Sequence, residues 1–188
     1  MLAAPSAALA HGTMKVGDFY GGLSQPIFHP ESLLPLLAML LWCVQGSAEL
    51  ARPRVPLVFA LATAAGSAIA TAGVDLAPAV WIARAGALGV GLLVAARVPS
   101  DERLAAPLAI LIGVATGHVA TWPDRADLAR PWLYAGGLAA AVVIAWGYLG
   151  SLALRFRAFW AQVALRILGS WIATIALLVS ALALASSR

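Results

Sequence analysis

The sequence predicts an all-α protein, a polytopic bundle of about six transmembrane helices. Hydrophobic residues make up 62% of the chain, charged residues only 11%, and the mean hydropathy is +0.91. Soluble domains average about 45–50% apolar and about 25% charged residues, so this composition indicates an integral membrane protein. The apolar residues also fall in long runs, separated by short segments that carry Pro, Gly or charge.

A hydrocarbon core of about 30 Å requires about 20 helical residues per span. The candidate spans are residues 31–50, 55–73, 77–96, 104–121, 132–154 and 158–185. No segment alternates as the strands of a membrane barrel do, and helices satisfy their backbone polar groups internally, as lipid demands. Gly and Ala are frequent within the spans, which predicts closely packed helices.

The first thirty residues differ from the rest of the chain. We expect residues 1–30 to form a signal-like, extracytoplasmic segment, followed by one transmembrane domain over 31–188. Ala8-Leu9-Ala10 fits a small-x-small cleavage site, but a basic region and an apolar region before it are missing, so a flexible tail is the other interpretation. Cleavage after Ala10 would give His11 a free amine, which together with its imidazole is able to hold a metal.

The distribution of arginines among the connections indicates the orientation of the protein in the membrane. The connections after the first, third and fifth spans carry Arg52, Arg54, Arg97, Arg103, Arg155 and Arg157. The positive-inside rule places these connections in the cytoplasm and both termini outside. For a bacterial protein this predicts the inner membrane, with the lipid bilayer as the main partner.

Other function classes find little support in the sequence. The pI of about 10.0 comes from scattered arginines without a basic run, so no nucleic-acid partner is predicted. No nucleophile–base pair, deep carboxylate pair or cofactor fingerprint is evident, so we predict no enzyme activity and no cofactor beyond a bound divalent metal ion.

Few polar side chains fall within or beside the spans, and they are the candidates for function. Arg84 and Arg166 lie about two turns inside the third and sixth spans. Snorkelling of the long side chain to the membrane interface explains both positions. The alternatives are that each arginine pairs with a partner element or repels cations. Thr116 and Ser67 are candidates to line a transport path, although bonding across helices explains them equally well.

A metal site is predicted at the outer ends of the first and fourth spans. Its candidate ligands are His29, Glu31, His118 and Gln25, because imidazole and carboxylate are ligands of nickel, zinc and copper. Ordinary structural roles compete with this prediction. Pro30 suits the first position of a helix and Glu31 its first turn, and a histidine in a span often bonds a neighbouring helix.

The stretch GDFYGGLSQPIFHPESLLPLLAMLLW, residues 17–42, resembles the opening of the HupE/UreJ family, small membrane proteins of hydrogenase and urease gene clusters that are regarded as nickel or cobalt permeases. In that family a His-Pro pair leads to Asp-His, where this chain has Gln25-Pro26 and Glu31-Ser32. IGVATG is similar to the later signature His-Gly-x-Ala-His-Gly, with Ile112 and Thr116 in the histidine places. A third signature histidine corresponds to Trp146.

The resemblance implies a divalent-metal permease whose histidines are mostly replaced. His29 and His118 stand beside the family positions and not on them. Gln25, Glu31 and Thr116 would offer oxygen atoms to a harder cation. The alternative is a non-transporting relative, a structural or accessory subunit that binds a membrane-protein partner or a second copy of itself.

Overall fold

All regular structure is helical in the part of the chain that the computed structural model describes, residues 17–45, 54–155 and 159–186. The helices are α1 (Asp18–Phe28), α2 (Pro30–Gln45), α3 (Arg54–Thr71), α4 (Ala79–Ala95), α5 (Glu102–Thr121), α6 (Pro131–Arg155) and α7 (Phe159–Ser186). The all-α prediction is therefore confirmed. Helices α2 to α7 correspond in order to the six predicted spans, and α1 is an additional helix.

Several helices have the length and composition of membrane spans. Four of them, α3, α5, α6 and α7, are long and apolar enough to cross a bilayer individually. Helices α1 and α2 together qualify as a fifth span, broken by a bend of 75°. Helix α4 is apolar but shorter, at 17 residues. The chain is thus a multi-pass membrane protein, and the prediction of about six spans agrees with this set.

The break between α1 and α2 follows from the local sequence. His29 has extended backbone angles, φ −121° and ψ 107°. A residue before proline is disfavoured in the helical region, so Pro30 interrupts the helix at His29. Pro30 then occupies the first position of α2 and Glu31 its first turn, both favourable places for these residue types. The bend therefore places His29 and Glu31 together at the start of α2.

Helix α2 lies at the centre of the bundle. It contacts α1, α4, α5, α6 and α7, and its Met39 and Leu40 side chains are fully buried. The most extensive helix pairs are α3 with α5, α4 with α7, and α1 with α6. Helix α1 lies within the segment 1–30 that was predicted to precede the membrane domain, yet it packs along α6. Residues 1–16, with Ala10 and His11, lie outside the described residues.

Glycines bring α3 and α5 into backbone contact. A Cβ atom on Gly66 of α3 would lie 2.0 Å from the carbonyl oxygen of Val114, and one on Gly117 of α5 would lie 1.9 Å from that of Thr63. Neither position accommodates a side chain without moving the facing backbone. The two helices therefore sit at a separation that only glycine permits, as expected for helices packed in lipid.

Glycines also allow close approach of the helices in the α1–α6 and α4–α7 pairs. A Cβ on Gly22 of α1 or Gly137 of α6 would lie 2.1 or 2.0 Å from a backbone carbonyl oxygen of the facing helix. Gly91 of α4 and Gly169 of α7 face each other, with corresponding distances of 3.0 and 2.9 Å to each other's carbonyl oxygens. The closely packed helices predicted from the small residues of the spans are confirmed at these contacts.

The alternating direction of α2 to α7 gives the bundle two ends. The His29 end holds the starts of α2, α4 and α6 and the ends of α3, α5 and α7; the Trp42 end holds the opposite termini.

At the Trp42 end, the Trp42 Nε1–H donates to the carbonyl oxygen of Val98 at 3.0 Å. Arg166 donates from Nε to the carbonyl oxygen of Ala95 at 3.1 Å, at the last residue of α4. Arg166 thus satisfies one of the carbonyls that a helix end leaves unpaired.

We predict that Trp42→Phe lowers the thermal unfolding temperature of the detergent-solubilised protein. The indole is 1% exposed, and losing its hydrogen bond costs about 1 kcal/mol. The matched control is Trp171→Phe, because Trp171 is 64% exposed and its replacement should leave the unfolding temperature unchanged. Equal effects of the two substitutions, measured by differential scanning fluorimetry, would contradict the assigned role of Trp42.

Candidate functional site

An ion pair joins the start of α2 to α4 at the His29 end. The Arg84 guanidinium, through Nη2, donates to the Glu31 carboxylate. The Arg84 side chain is 14% exposed, whereas the Glu31 side chain is 37% exposed. The guanidinium is also 5.3 Å from the ring centroid of Trp81, within cation–π range. Arg84 therefore pairs with a partner element, one of the alternatives that its position in the sequence left open.

A small cleft adjoins this ion pair. Its walls come from α2, α4 and α7 and include Glu31, Leu34, Arg84, Ala87 and Val179. Apart from the ion pair, the residues that line it are Pro, Leu, Ala and Val. The exposed lining of the cleft is therefore apolar, and the ion pair lies in its wall between the three helices.

The Gln25 side chain caps the C-terminal end of α5 with a hydrogen bond. Its Nε2 donates to the carbonyl oxygen of Ala120 at 3.0 Å, and the hydroxyl of Tyr134 donates to the same oxygen at 2.9 Å. Ala120 lies in the last turn of α5, where carbonyls have no partner within the helix. Gln25 is 7% exposed, and its amide links α1 to the end of α5.

His29 is exposed at the bend between α1 and α2. Its Nδ1 lies 3.3 Å from the backbone oxygen of Gln25, which also accepts the backbone N–H of His29 at 3.1 Å. When Nδ1 carries the proton and donates to this oxygen, Nε2 has a free lone pair. His29 is therefore able to act as an Nε2 ligand close to Glu31 in the sequence.

The His118 imidazole is buried and lies within hydrogen-bonding distance of backbone groups. The side chain is 3% exposed, and Nε2 lies 3.0 Å from the carbonyl oxygen of Val74 and 3.2 Å from the backbone nitrogen of Leu76. Its ring stacks on Trp122, with centroids 5.0 Å apart. The imidazole thus connects α5 to the loop between α3 and α4. Bonding to a neighbouring element, the structural alternative considered for His118, describes this geometry.

The two path candidates have different environments. Ser67 is fully buried, and its Oγ accepts from Thr121 Oγ1 at 2.8 Å, which links α3 to α5. Thr116 is 3% exposed, and its Oγ1 has no hydrogen-bond partner within the described part of the chain. Thr116 is therefore a buried hydroxyl with unused hydrogen-bonding capacity, while Ser67 stabilises a helix pair.

The side chains of the predicted ligands have separate partners and do not form one cluster. His29 Nδ1 lies near the backbone oxygen of Gln25, whereas the Gln25 amide bonds Ala120. Glu31 pairs with Arg84, and His118 bonds the α3–α4 loop. Within residues 17–45, 54–155 and 159–186, no three His, Cys, Asp or Glu side chains come together as a group able to hold a metal. The predicted metal set of Gln25, His29, Glu31 and His118 stays a prediction.

Comparison with known families identifies the kind of membrane protein. A model of the HupE / UreJ protein family matches residues 1–179, nearly the whole chain. The chain belongs to the HupE/UreJ family. Comparisons with curated proteins and with solved structures gave no match.

Two of the places that the HupE/UreJ resemblance assigns to histidines, Ile112 and Trp146, are filled by packing residues in this chain. Ile112 lies against Gly86, where its Cγ1 is 2.7 Å from the position of a Cβ on that glycine. Trp146 packs against Phe59, with ring centroids 5.8 Å apart. Together with the bond from Gln25 to Ala120, these contacts show that three of the positions support the bundle. Ser32 and Thr116, at two further positions, carry buried hydroxyls without a hydrogen-bond partner among the described residues.

Sequence reasoning did not pair Glu31 with Arg84, the partner that defines the cleft of this HupE/UreJ protein. The two residues lie 53 positions apart, and no local pattern connects them. One signal was present: an arginine within a span requires a partner, and Glu31 is an acidic residue at the same predicted end of the bundle.

We predict that His118→Ala lowers the unfolding temperature and that His29→Ala does not. The first substitution removes a buried side chain that holds the α3–α4 loop, at a cost of about 1–3 kcal/mol from unpaired groups alone. The second removes an exposed imidazole. Thermal unfolding in one detergent measures both. A stability loss in His29→Ala as large as that in His118→Ala would contradict the assignment.

Proposed function

We propose that this HupE/UreJ protein is a permease for divalent transition-metal ions such as nickel or cobalt. The observation that carries the proposal is the Glu31 carboxylate, an ionisable side chain on a cleft between α2, α4 and α7. Ionisable groups inside a membrane bundle are costly and characteristically mark ion pathways. Family membership supplies the substrate class, since the resemblance implies nickel or cobalt.

His29 and Glu31 are the proposed entry ligands. The bend at His29 presents an exposed imidazole two residues before the carboxylate. Imidazole nitrogen and carboxylate oxygen together suit nickel, cobalt and zinc, and water molecules complete the coordination of an ion that is only passing through. Gln25, Thr116 and Ser67 are proposed as polar groups further along the path, and no catalytic activity is proposed.

The proposed orientation places the His29 end outside a bacterial inner membrane. Arg54, Arg97 and Arg103 lie at the Trp42 end, at the start of α3, after α4 and at the start of α5. The positive-inside rule assigns this end to the cytoplasm. An ion from outside would then meet His29 and Glu31 first.

An accessory role in a membrane complex is the second candidate. The observation that favours it is the engagement of Gln25, Ser67 and His118 in bonds between structural elements. Outward-facing apolar side chains on α7, such as Trp171 and Leu182, would contact lipid, a partner protein or a second copy of the chain. Such a subunit would co-purify from native membranes with a stoichiometric partner, and the isolated protein would transport nothing.

We predict that proteoliposomes with the wild-type protein take up Ni²⁺ or Co²⁺ faster than empty liposomes, and that Glu31→Gln abolishes the difference. The carboxylate is the charge that attracts the ion, and the amide lacks it. Asp75→Asn is the matched control, because Asp75 is an exposed acid at the same end that does not line the cleft. A chelator dye inside the liposomes reports the uptake. Wild-type uptake equal to that of empty liposomes would contradict the permease proposal.

Metal bound to the purified protein gives a second prediction. After loading with nickel, cobalt, zinc and copper, mass spectrometry should find stoichiometric metal in the wild type and less in the double variant His29→Ala, His118→Ala. The single variants separate the two histidines: His29→Ala should account for the loss, since His118 Nε2 is already bonded. Equal metal in the wild type and the double variant would exclude a histidine-dependent site.

A further inference from the structure

We propose that α1 lies in the plane of the membrane interface at the His29 end and binds the lipid headgroup region through its exposed apolar face. The length and composition of α1 and α2 together are also those of one broken span. The contacts of α1, however, place its whole length at one end of the bundle. This inference rests on the multi-pass fold and is independent of the proposed metal transport.

Three points along α1 define its level in the bundle. The carboxylate of Asp18, the first residue of α1, accepts the backbone N–H of Arg130, directly before α6. Further along, Gln25 Nε2 donates to Ala120 in the last turn of α5 at 3.0 Å. The chain then reaches His29, directly before α2. All three points meet helix termini that belong to the same end of the bundle.

The direction of α1 agrees with these contacts. Helix α2 runs from the His29 end to the Trp42 end through the centre of the bundle, and α1 is bent from it by 75°. The 11 residues of α1 have a length of about 16 Å, of which only about 4 Å runs parallel to α2 at this angle. Helix α1 therefore lies across the bundle and changes little in depth from its first residue to its last.

The two faces of α1 differ in burial. Gly22 and Gln25 are buried on the side that packs against α6 and α5. Tyr20, Ile27 and Phe28 lie on the other side and are 57%, 71% and 74% exposed. Their spacing of seven and eight residues is two helical turns, which places them on one face. Interfacial helices of membrane proteins bury such a face about 5–10 Å into the boundary between headgroups and acyl chains.

Exposed tryptophans of the neighbouring helices mark the same level. Trp132 is the second residue of α6 and 69% exposed, and Trp81 is the third residue of α4 and 44% exposed. Aromatic rings of this kind are enriched where the membrane meets water. Tyr20 and Phe28 continue this aromatic belt around the His29 end, so the surface of α1 is continuous with the lipid-facing surface of the bundle. Lipid is therefore the proposed partner of this face.

The experiment measures the depth of spin labels on the full chain in liposomes of phosphatidylcholine and phosphatidylglycerol. The labels are attached in Tyr20→Cys and Ile27→Cys, each combined with Cys43→Ala, which removes the one native cysteine. Collision rates with oxygen, which concentrates in lipid, and with chromium oxalate, which stays in water, give the depth. Asp75→Cys in an exposed loop is the water reference, and Leu111→Cys, 52% exposed and halfway along α5, is the reference for the bilayer centre.

The two labels should lie at the same depth to within about 4 Å, about 5–10 Å below the headgroup level. A helix that crosses or re-enters the membrane would separate positions 20 and 27 by about 10 Å, and that result would overturn the proposal. Access to chromium oxalate as high as in Asp75→Cys would place the face in water. Low access to both reagents would indicate a protein partner or a second copy of the chain. Either result would also overturn the proposal.

The labelled positions are exposed, so the labels should leave the packing of α1 unchanged. If Cys43→Ala fails to fold, the new cysteines are introduced beside Cys43, and the signal of the labelled wild type is subtracted. The outcome is separate from that of the uptake assay. Labels at unequal depths would refute the placement of α1 in a working permease, and labels at equal depth would support it in a protein that transports nothing.

Discussion

Backbone contact through glycine is the constraint on which the rest of this bundle depends. Lipid supplies no hydrophobic force between helices, so association relies on close packing and on hydrogen bonds. Gly66 against the Val114 carbonyl and Gly117 against the Thr63 carbonyl set the spacing of α3 and α5, and similar contacts set the spacing of the α1–α6 and α4–α7 pairs. Only at such short separations do the short side chains of Ser67 and Thr121 bond across helices.

The polar groups of the His29 end follow from this packing. Once α5 lies against α3, the last carbonyls of α5 come within reach of α1 and α6, and Gln25 and Tyr134 both bond Ala120. Helix α2 is enclosed at the centre, and its first turn faces α4. Glu31 consequently meets Arg84, and one side chain neutralises the other where either alone would be costly.

The spans were predictable from the sequence because long apolar runs with polar breaks leave few alternatives in lipid. Helix α1 was not predictable, because Gly21, Gly22 and Pro26 are residue types that disfavour the interior of a helix. In the structure, the Cβ that Gly22 lacks would collide with α6, and the helix accommodates Pro26. The predicted topology places His29 and His118 at the same end of the bundle. The direction of each side chain, however, depends on the rotation of its helix about the helix axis. That rotation is set by packing partners far away in the sequence, which is also why the Arg84–Glu31 pair was missed.

Thermal unfolding of Gly117→Ala beside Gly89→Ala tests the packing constraint most directly. A Cβ on Gly117 would lie 1.9 Å from the Thr63 carbonyl oxygen, whereas one on Gly89 meets no atom within 4 Å. Gly89→Ala should raise stability by up to about 1 kcal/mol, because alanine favours a helix over glycine. Gly117→Ala should lower the unfolding temperature by several degrees, since α3 and α5 must move apart. An unfolding temperature of Gly117→Ala equal to or above that of Gly89→Ala would contradict the account.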